Sequence, residues 1–166
     1  GGTSATIGRY IRYFLLDGYR PELIVADPER SVFFDYFRTG DDTLTSGMSG
    51  RIEGIGRPRV EPSFIRDVID DVMRVPDAAS IAGLRFIERL LGKKVGGSTG
   101  TNVFAVFQLI SQMIQSKTPG SIVTLLCDDG ERYTDTYYSD RWLQEQQLDI
   151  TPYLSRIEQF ADTGKL

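Results

Sequence analysis

At 166 residues the chain is long enough for one domain with its own core, and 40% hydrophobic with 25% charged residues is the balance of a globular protein. A net charge of −4 and a pI near 4.9 argue against a nucleic-acid partner, which needs clustered Lys and Arg. The absence of histidine excludes Ser-His-Asp and Cys-His catalysis from within the chain, and the single cysteine, Cys127, excludes an internal disulfide.

Taken in order, the segments alternate between helical and strand character, which predicts an α/β domain with a mostly parallel sheet. Ser4 to Leu16 places Ile7, Tyr10, Ile11 and Phe14 at helical spacing, with Gly18 as the stop. Glu22 to Ala26 is a short apolar strand closed by Asp27-Pro28, and Glu29 to Phe37 reads as a helix ending near Gly40. Thr39 to Arg51 has the Gly, Ser, Thr and Asp content of a surface loop. A short helix from near Ser63 to Asp71 leads to a second strand, Val72 to Val75. Asp77 is suited to cap a helix that buries Ile81, Leu84, Ile87, Leu90 and Leu91 and stops at Gly92. After the turn Gly96-Gly97-Ser98-Thr99-Gly100, an apolar helix runs from Thr101 to about Ser116. Ser121 to Cys127 carries the strongest strand signal, because a near-continuous apolar run predicts burial on both faces. A loop at Asp128 to Gly130, a mixed helical region and a Tyr- and Gln-rich tail complete the chain. No apolar run approaches the ~18 residues needed to cross a bilayer. The start lacks the layout of a signal peptide, so a cytoplasmic location without membrane contact is expected.

Three glycine-containing turns fall where an α/β sheet builds its binding crevice, at strand ends and helix starts. Gly1-Gly2-Thr3 precedes a helix, whose amides and dipole attract phosphate, although a glycine pair at a chain start is as often a loose end. Gly54-Ile55-Gly56 permits close backbone approach to a ligand, or is a plain turn. Gly96 to Asn102 opens an apolar helix, where Ser, Thr and Asn serve equally as caps.

The order GGTSATIG, EGIGRPRVEP, GGSTGTN and LLCDDGERY, running from Gly1 to about Trp142, resembles the fold-type II pyridoxal-phosphate enzymes of the cysteine synthase and cystathionine β-synthase family. Within it the bacterial L-cysteine desulfhydrase branch is nearest in pattern. The resemblance implies a three-layer, mostly parallel α/β fold like tryptophan synthase β. Residues 1–166 would then be the C-terminal part of the cofactor-binding large domain, starting inside its phosphate loop. It implies pyridoxal 5'-phosphate as cofactor, held by Gly1, Gly2, Thr3 and Ser98. Ser98 would meet the pyridine nitrogen, Gly54, Ile55 and Gly56 would face the substrate, and Asp128 and Tyr133 would lie beside the ring edge. Asp-Asp-Gly replaces the more usual Asp-Ser-Gly in that last loop, which leaves the roles of Asp128 and Asp129 open.

A neutral serine hydroxyl does not keep a pyridine nitrogen protonated, which favours loss of a β-substituent over transamination or racemisation. The implied reaction is β-elimination on L-cysteine, giving hydrogen sulfide, pyruvate and ammonia. β-Replacement and a non-catalytic binding role are the alternatives. A phosphate- or nucleotide-binding domain is a further one. The lysines present, Lys93, Lys94, Lys117 and Lys165, do not match the family's Schiff-base position. That lysine is expected upstream, in an N-terminal half this chain needs as its partner, and the chain alone is expected to be inactive. A small amino-acid substrate and a homodimer complete the expectation, with no metal and no catalytic residue inside this chain. Arg57 or Arg59 could meet a second anionic group or simply be solvated, and Tyr133, Tyr137, Tyr138 and Trp142 suit packing or a dimer surface.

Overall fold

The computed structural model describes residues 1–13 and 20–166, and the chain divides into two units. The first comprises Gly1–Arg51 and Ile55–Arg74, the second Ile52–Gly54 and Val75–Leu166. The expected continuation of the first helix through Phe14 to Leu16 and its expected stop at Gly18 fall outside the described residues.

In the first unit, helix α1 (Gly2–Tyr13) buries Ser4, Ala5 and Gly8. This corrects the expected apolar face, since Tyr10 is 57% exposed. The reason is close approach. A Cβ on Gly8 would stand 2.5 Å from the Val68 carbonyl oxygen, so the small-residue face is the one that fits. Strand β1 (Ile24–Pro28) follows, then helix α2 (Phe33–Thr39), which starts later than its sequence suggests and is closed by Gly40 in the left-handed conformation. A 3₁₀ turn (Arg66–Val68) leads into strand β2 (Asp71–Val75).

The two strands form a small parallel sheet. Its entrance is pinned by Asp70, whose N–H donates to Leu23 O at 2.9 Å while its carboxylate accepts the Leu23 N–H at 2.8 Å. Val32, Phe33, Phe64, Val68, Ile69 and Val72 make the core of this unit, with Phe33 and Phe64 stacked at 4.4 Å.

The second unit is built on helices α3 (Asp77–Leu91) and α4 (Gly97–Ser116), with α5 (Asp140–Glu145) and α6 (Thr151–Thr163) following. Gly83 and Gly100 let α3 and α4 cross at backbone distance. A Cβ on Gly83 would lie 2.6 Å from Gly100 O, and one on Gly100 would strike Ser80 O. Beside this crossing the Thr101 hydroxyl donates to Ser80 Oγ at 2.8 Å, satisfying two buried polar groups at once. Ile81, Leu84 and Ile87 are buried as expected, but Leu90 and Leu91 are 68% and 50% exposed. They occupy the final turn of α3, beyond the stretch that packs. The tail that reads only as Tyr- and Gln-rich becomes α6, which buries Ile157 and Phe160.

The largest departure is Ser121 to Cys127. No strand forms there, and Val123 and Leu126 are 92% and 63% exposed. A strand exists only through ladder partners. Among the described residues the segment has none, and its end is held instead by the Cys127 N–H donating to Thr99 Oγ1 at 2.9 Å.

Candidate functional site

The start of α1 carries the first group of candidates. The first helical hydrogen bond runs from the Ala5 N–H to Gly1 O at 3.0 Å, which leaves the amides of Gly2, Thr3 and Ser4 outside the ladder. Gly1, Gly2 and Thr3 are all exposed. Gly1 is seated tightly, since a Cβ there would be 2.6 Å from Ser63 Oγ, whereas Gly2 faces open space within 4 Å. The charges of Arg57 and Asp27 both reach this end of α1.

Ile55 and Gly56 belong to the same unit. Gly56 has φ +70° and packs so closely that a Cβ would be 2.6 Å from Pro28 Cγ and 2.7 Å from Ser31 Cβ. Ser31 Oγ accepts the Arg57 N–H at 3.0 Å, so this loop is fastened to the residues just after β1. Arg57 Nη1 donates to Gly56 O at 2.7 Å, while Arg59 is occupied by Glu61 at 3.0 Å. Asp27, which drew no attention in the sequence, is 1% exposed and accepts the Phe34 N–H at 2.8 Å. Burial pushes its carboxyl up to about 6, against the pull of Ser31, the Phe34 N–H and Arg74.

The second unit gathers Gly54, Ser98, Asp128 and Tyr133. Its centre is the start of α4, which begins at Gly97 and so draws Ser98 into the first helical turn. Ser98 is 8% exposed, and its hydroxyl makes no hydrogen bond among the described residues. A serine hydroxyl at a helix start, without a partner among the described residues, suits a ligand polar atom.

Asp128 stands directly against Gly96, where any Cβ would collide with its carboxylate, and Gly96 N–H donates to Asp128 O at 3.0 Å. The Tyr133 hydroxyl donates to Asp128 Oδ2 at 2.6 Å. Burial, that bond and the charges of Asp128 and Glu53 all push the Tyr133 hydroxyl well above the ordinary tyrosine value, so it stays protonated.

Tyr133 and Tyr137 are buried in this unit, and Tyr138 is half-buried. Tyr133 and Tyr137 are 4% and 3% exposed and stack at 4.8 Å. Tyr138 Oη accepts the Val95 N–H at 2.8 Å and donates to Val95 O at 2.9 Å, and burial pushes it up to about 12. The sequence names Tyr137 for packing or a dimer surface, and the structure buries it inside this unit. Among the described residues no group of His, Cys, Asp or Glu could hold a metal ion, and no helix is long and apolar enough to cross a membrane.

Comparison with known proteins identifies the family. The chain is 53% identical over 149 residues, 90% of its length, to an L-cysteine desulfhydrase of Mycobacterium tuberculosis. The chain belongs to the cysteine synthase family of pyridoxal-phosphate enzymes. It is also 32% identical to cysteine synthase 1 of Neurospora crassa, over 89% of the chain. A Caenorhabditis elegans protein named for its pyridoxal-phosphate dependence shares 32% identity over 99% of the chain. The matched stretch covers 40%, 39% and 42% of these three relatives, so the chain spans about two fifths of their length. No protein-family model matches it.

Proposed function

We propose that the protein to which this chain belongs uses pyridoxal 5'-phosphate to convert L-cysteine and water into hydrogen sulfide, pyruvate and ammonia. Residues 1–166 would supply the C-terminal part of its cofactor-binding large domain. The observation that carries this reading is the 53% identity to an L-cysteine desulfhydrase across 90% of the chain. The candidate residues suit the cofactor, since the Ser98 hydroxyl has no partner among the described residues and the amides of Gly2, Thr3 and Ser4 suit a phosphate.

In this reading Gly1, Gly2 and Thr3 hold the phosphate through backbone amides and the Thr3 hydroxyl. Arg57 adds positive charge at the same end of α1. Ser98 meets the pyridine nitrogen. The bound cofactor supplies an electron sink that loosens the substrate α-hydrogen and lets the β-thiol leave. Ser98 tempers that sink, because a hydroxyl has no charge with which to hold a proton on the nitrogen. Gly54, Ile55 and Gly56 give the amino acid a close backbone wall without side-chain bulk. Asp128 and Tyr133 brace the turn that carries Ser98, through the contact with Gly96 and the 2.6 Å bond between them.

The Schiff-base lysine belongs to sequence outside this chain. Lys93 and Lys94 are directed to Asp129 and Glu131, at 3.8 and 3.3 Å. The whole protein would be a three-layer, mostly parallel α/β enzyme, homodimeric and cytoplasmic.

The 32% identity to a cysteine synthase favours β-replacement as the second reading. The full-length protein with cofactor should show a visible absorption band that changes on adding cysteine, with sulfide and pyruvate released in equal amounts. Cysteine formed from O-acetylserine and sulfide, without release of pyruvate from cysteine, would select replacement. No band with cofactor in excess would sink both and leave a non-catalytic binding role.

A further inference from the structure

Tyr137 is tied into the second unit more thoroughly than a packing residue requires. Its hydroxyl oxygen accepts the Glu53 N–H at 3.0 Å. Its ring lies on Gly97, where a Cβ would be 2.8 Å from Cε2, and the Ile52 side chain closes the other side at 3.0 Å from the same point. Tyr133 stacks on the ring at 4.8 Å, and Trp142 meets it edge-on at 5.6 Å. Its backbone carbonyl accepts Arg85 Nε at 3.0 Å. One rigid side chain thus touches Ile52–Gly54 through its polar end and the first residue of α4 through its face.

The far side of Glu53 is fastened as well, because its carboxylate accepts Arg132 Nη2 at 3.0 Å and that guanidinium sits 5.1 Å over the Tyr133 ring. The segment is held at its backbone by Tyr137 and at its side chain by Arg132. It leads into Gly54 at φ +78°, a conformation open to glycine and disfavoured for other residues. Burial raises the Tyr137 hydroxyl above its ordinary pKa, so the contact persists across the physiological range.

We infer that Tyr137 is a positioning residue that sets the distance between the Ile52–Gly54 segment and the α4 turn bearing Ser98, and so tunes amino-acid binding. The inference rests on the reading above, in which Gly54 faces the substrate and Ser98 the cofactor. It concerns neither chemistry nor cofactor capture, because the hydroxyl is committed to a backbone amide and the ring to packing.

The test uses the full-length enzyme and Tyr137→Phe, which removes the hydroxyl bond and keeps the ring on Gly97. Losing the bond to the Glu53 N–H should raise KM for cysteine about 5-fold with kcat changed less than about 2-fold. The cofactor absorption band should stay where it is, and the thermal midpoint should fall only by the few degrees that one lost bond costs. Hydrogen exchange at the Glu53 amide should quicken by about the same factor, a readout independent of turnover. Tyr137→Leu, which also removes the ring, should shift the cofactor band. Unchanged KM and unchanged Glu53 exchange in Tyr137→Phe would overturn the inference. So would a joint fall of kcat, cofactor retention and thermal midpoint. Faster Glu53 exchange in a protein that shows no cofactor band would instead keep the strut and sink the enzymatic reading.

Discussion

Asp27 shows what one residue can hide in a sequence. Its neighbours mark it only as the end of a strand, yet it is 1% exposed with a carboxyl pushed up to about 6. A raised folded pKa means that between about 3.8 and 6 the folded state keeps a proton the unfolded chain has released. Stability from this group is therefore greatest below the lower value and falls as pH rises to the upper one. Asp27→Asn keeps an acceptor for the Phe34 N–H without the charge. It should raise stability at pH 7 by on the order of 2 kcal/mol, with the gain vanishing below about pH 4, as thermal midpoints across pH would show. Ser98 belongs at the same scale. Its residue type and place in the turn were legible, but its missing partner and 8% exposure were not. Ser98→Ala should lower cysteine turnover by about 10-fold in the full-length enzyme while cofactor remains bound, measured as sulfide release against cofactor absorbance.

Among the elements, α3 was the most legible. Gly92 closes it at φ +63° with its N–H on Glu88 O at 2.8 Å, whereas the N-cap is Pro76 and the expected cap, Asp77, is instead the first helical residue. Its apolar spacing correctly marks Ile81, Leu84 and Ile87, because packing follows the helical repeat until the last turn leaves the core. The face of α1 was misread for the opposite reason. Hydrophobic spacing favoured Ile7, Tyr10 and Ile11, whereas backbone approach to Val68 selected Ser4, Ala5 and Gly8. Small residues carry little hydrophobic signal, yet they decide how near two elements can come. The same physics governs the α3–α4 crossing. Gly100→Ala should destabilise the protein by about 3 kcal/mol, since its Cβ meets the fixed carbonyl of Ser80. Thr101→Val, which removes the buried bond to Ser80, should cost about 1 kcal/mol, both read from denaturant midpoints.

For the whole molecule, the four ordered motifs pointed to a family, and the 53% identity to a cysteine desulfhydrase agrees. The reading places the Schiff-base lysine outside Gly1–Leu166. Borohydride reduction of the full-length protein with cofactor, followed by peptide mass spectrometry, should label a lysine elsewhere and leave Lys93, Lys94, Lys117 and Lys165 unmodified. A label on any of those four would overturn it. Composition, the lack of histidine, the helix of α3 and the motif order were determined by the sequence alone, because each depends on residue type and local spacing. Which face of α1 is buried, the burial of Asp27 and the strut at Tyr137 were decided only in three dimensions. So was the fate of Ser121 to Cys127, whose apolar run specifies a willingness to form a strand. A strand also needs a neighbour's amides and carbonyls, and those are a property of the fold rather than of the segment.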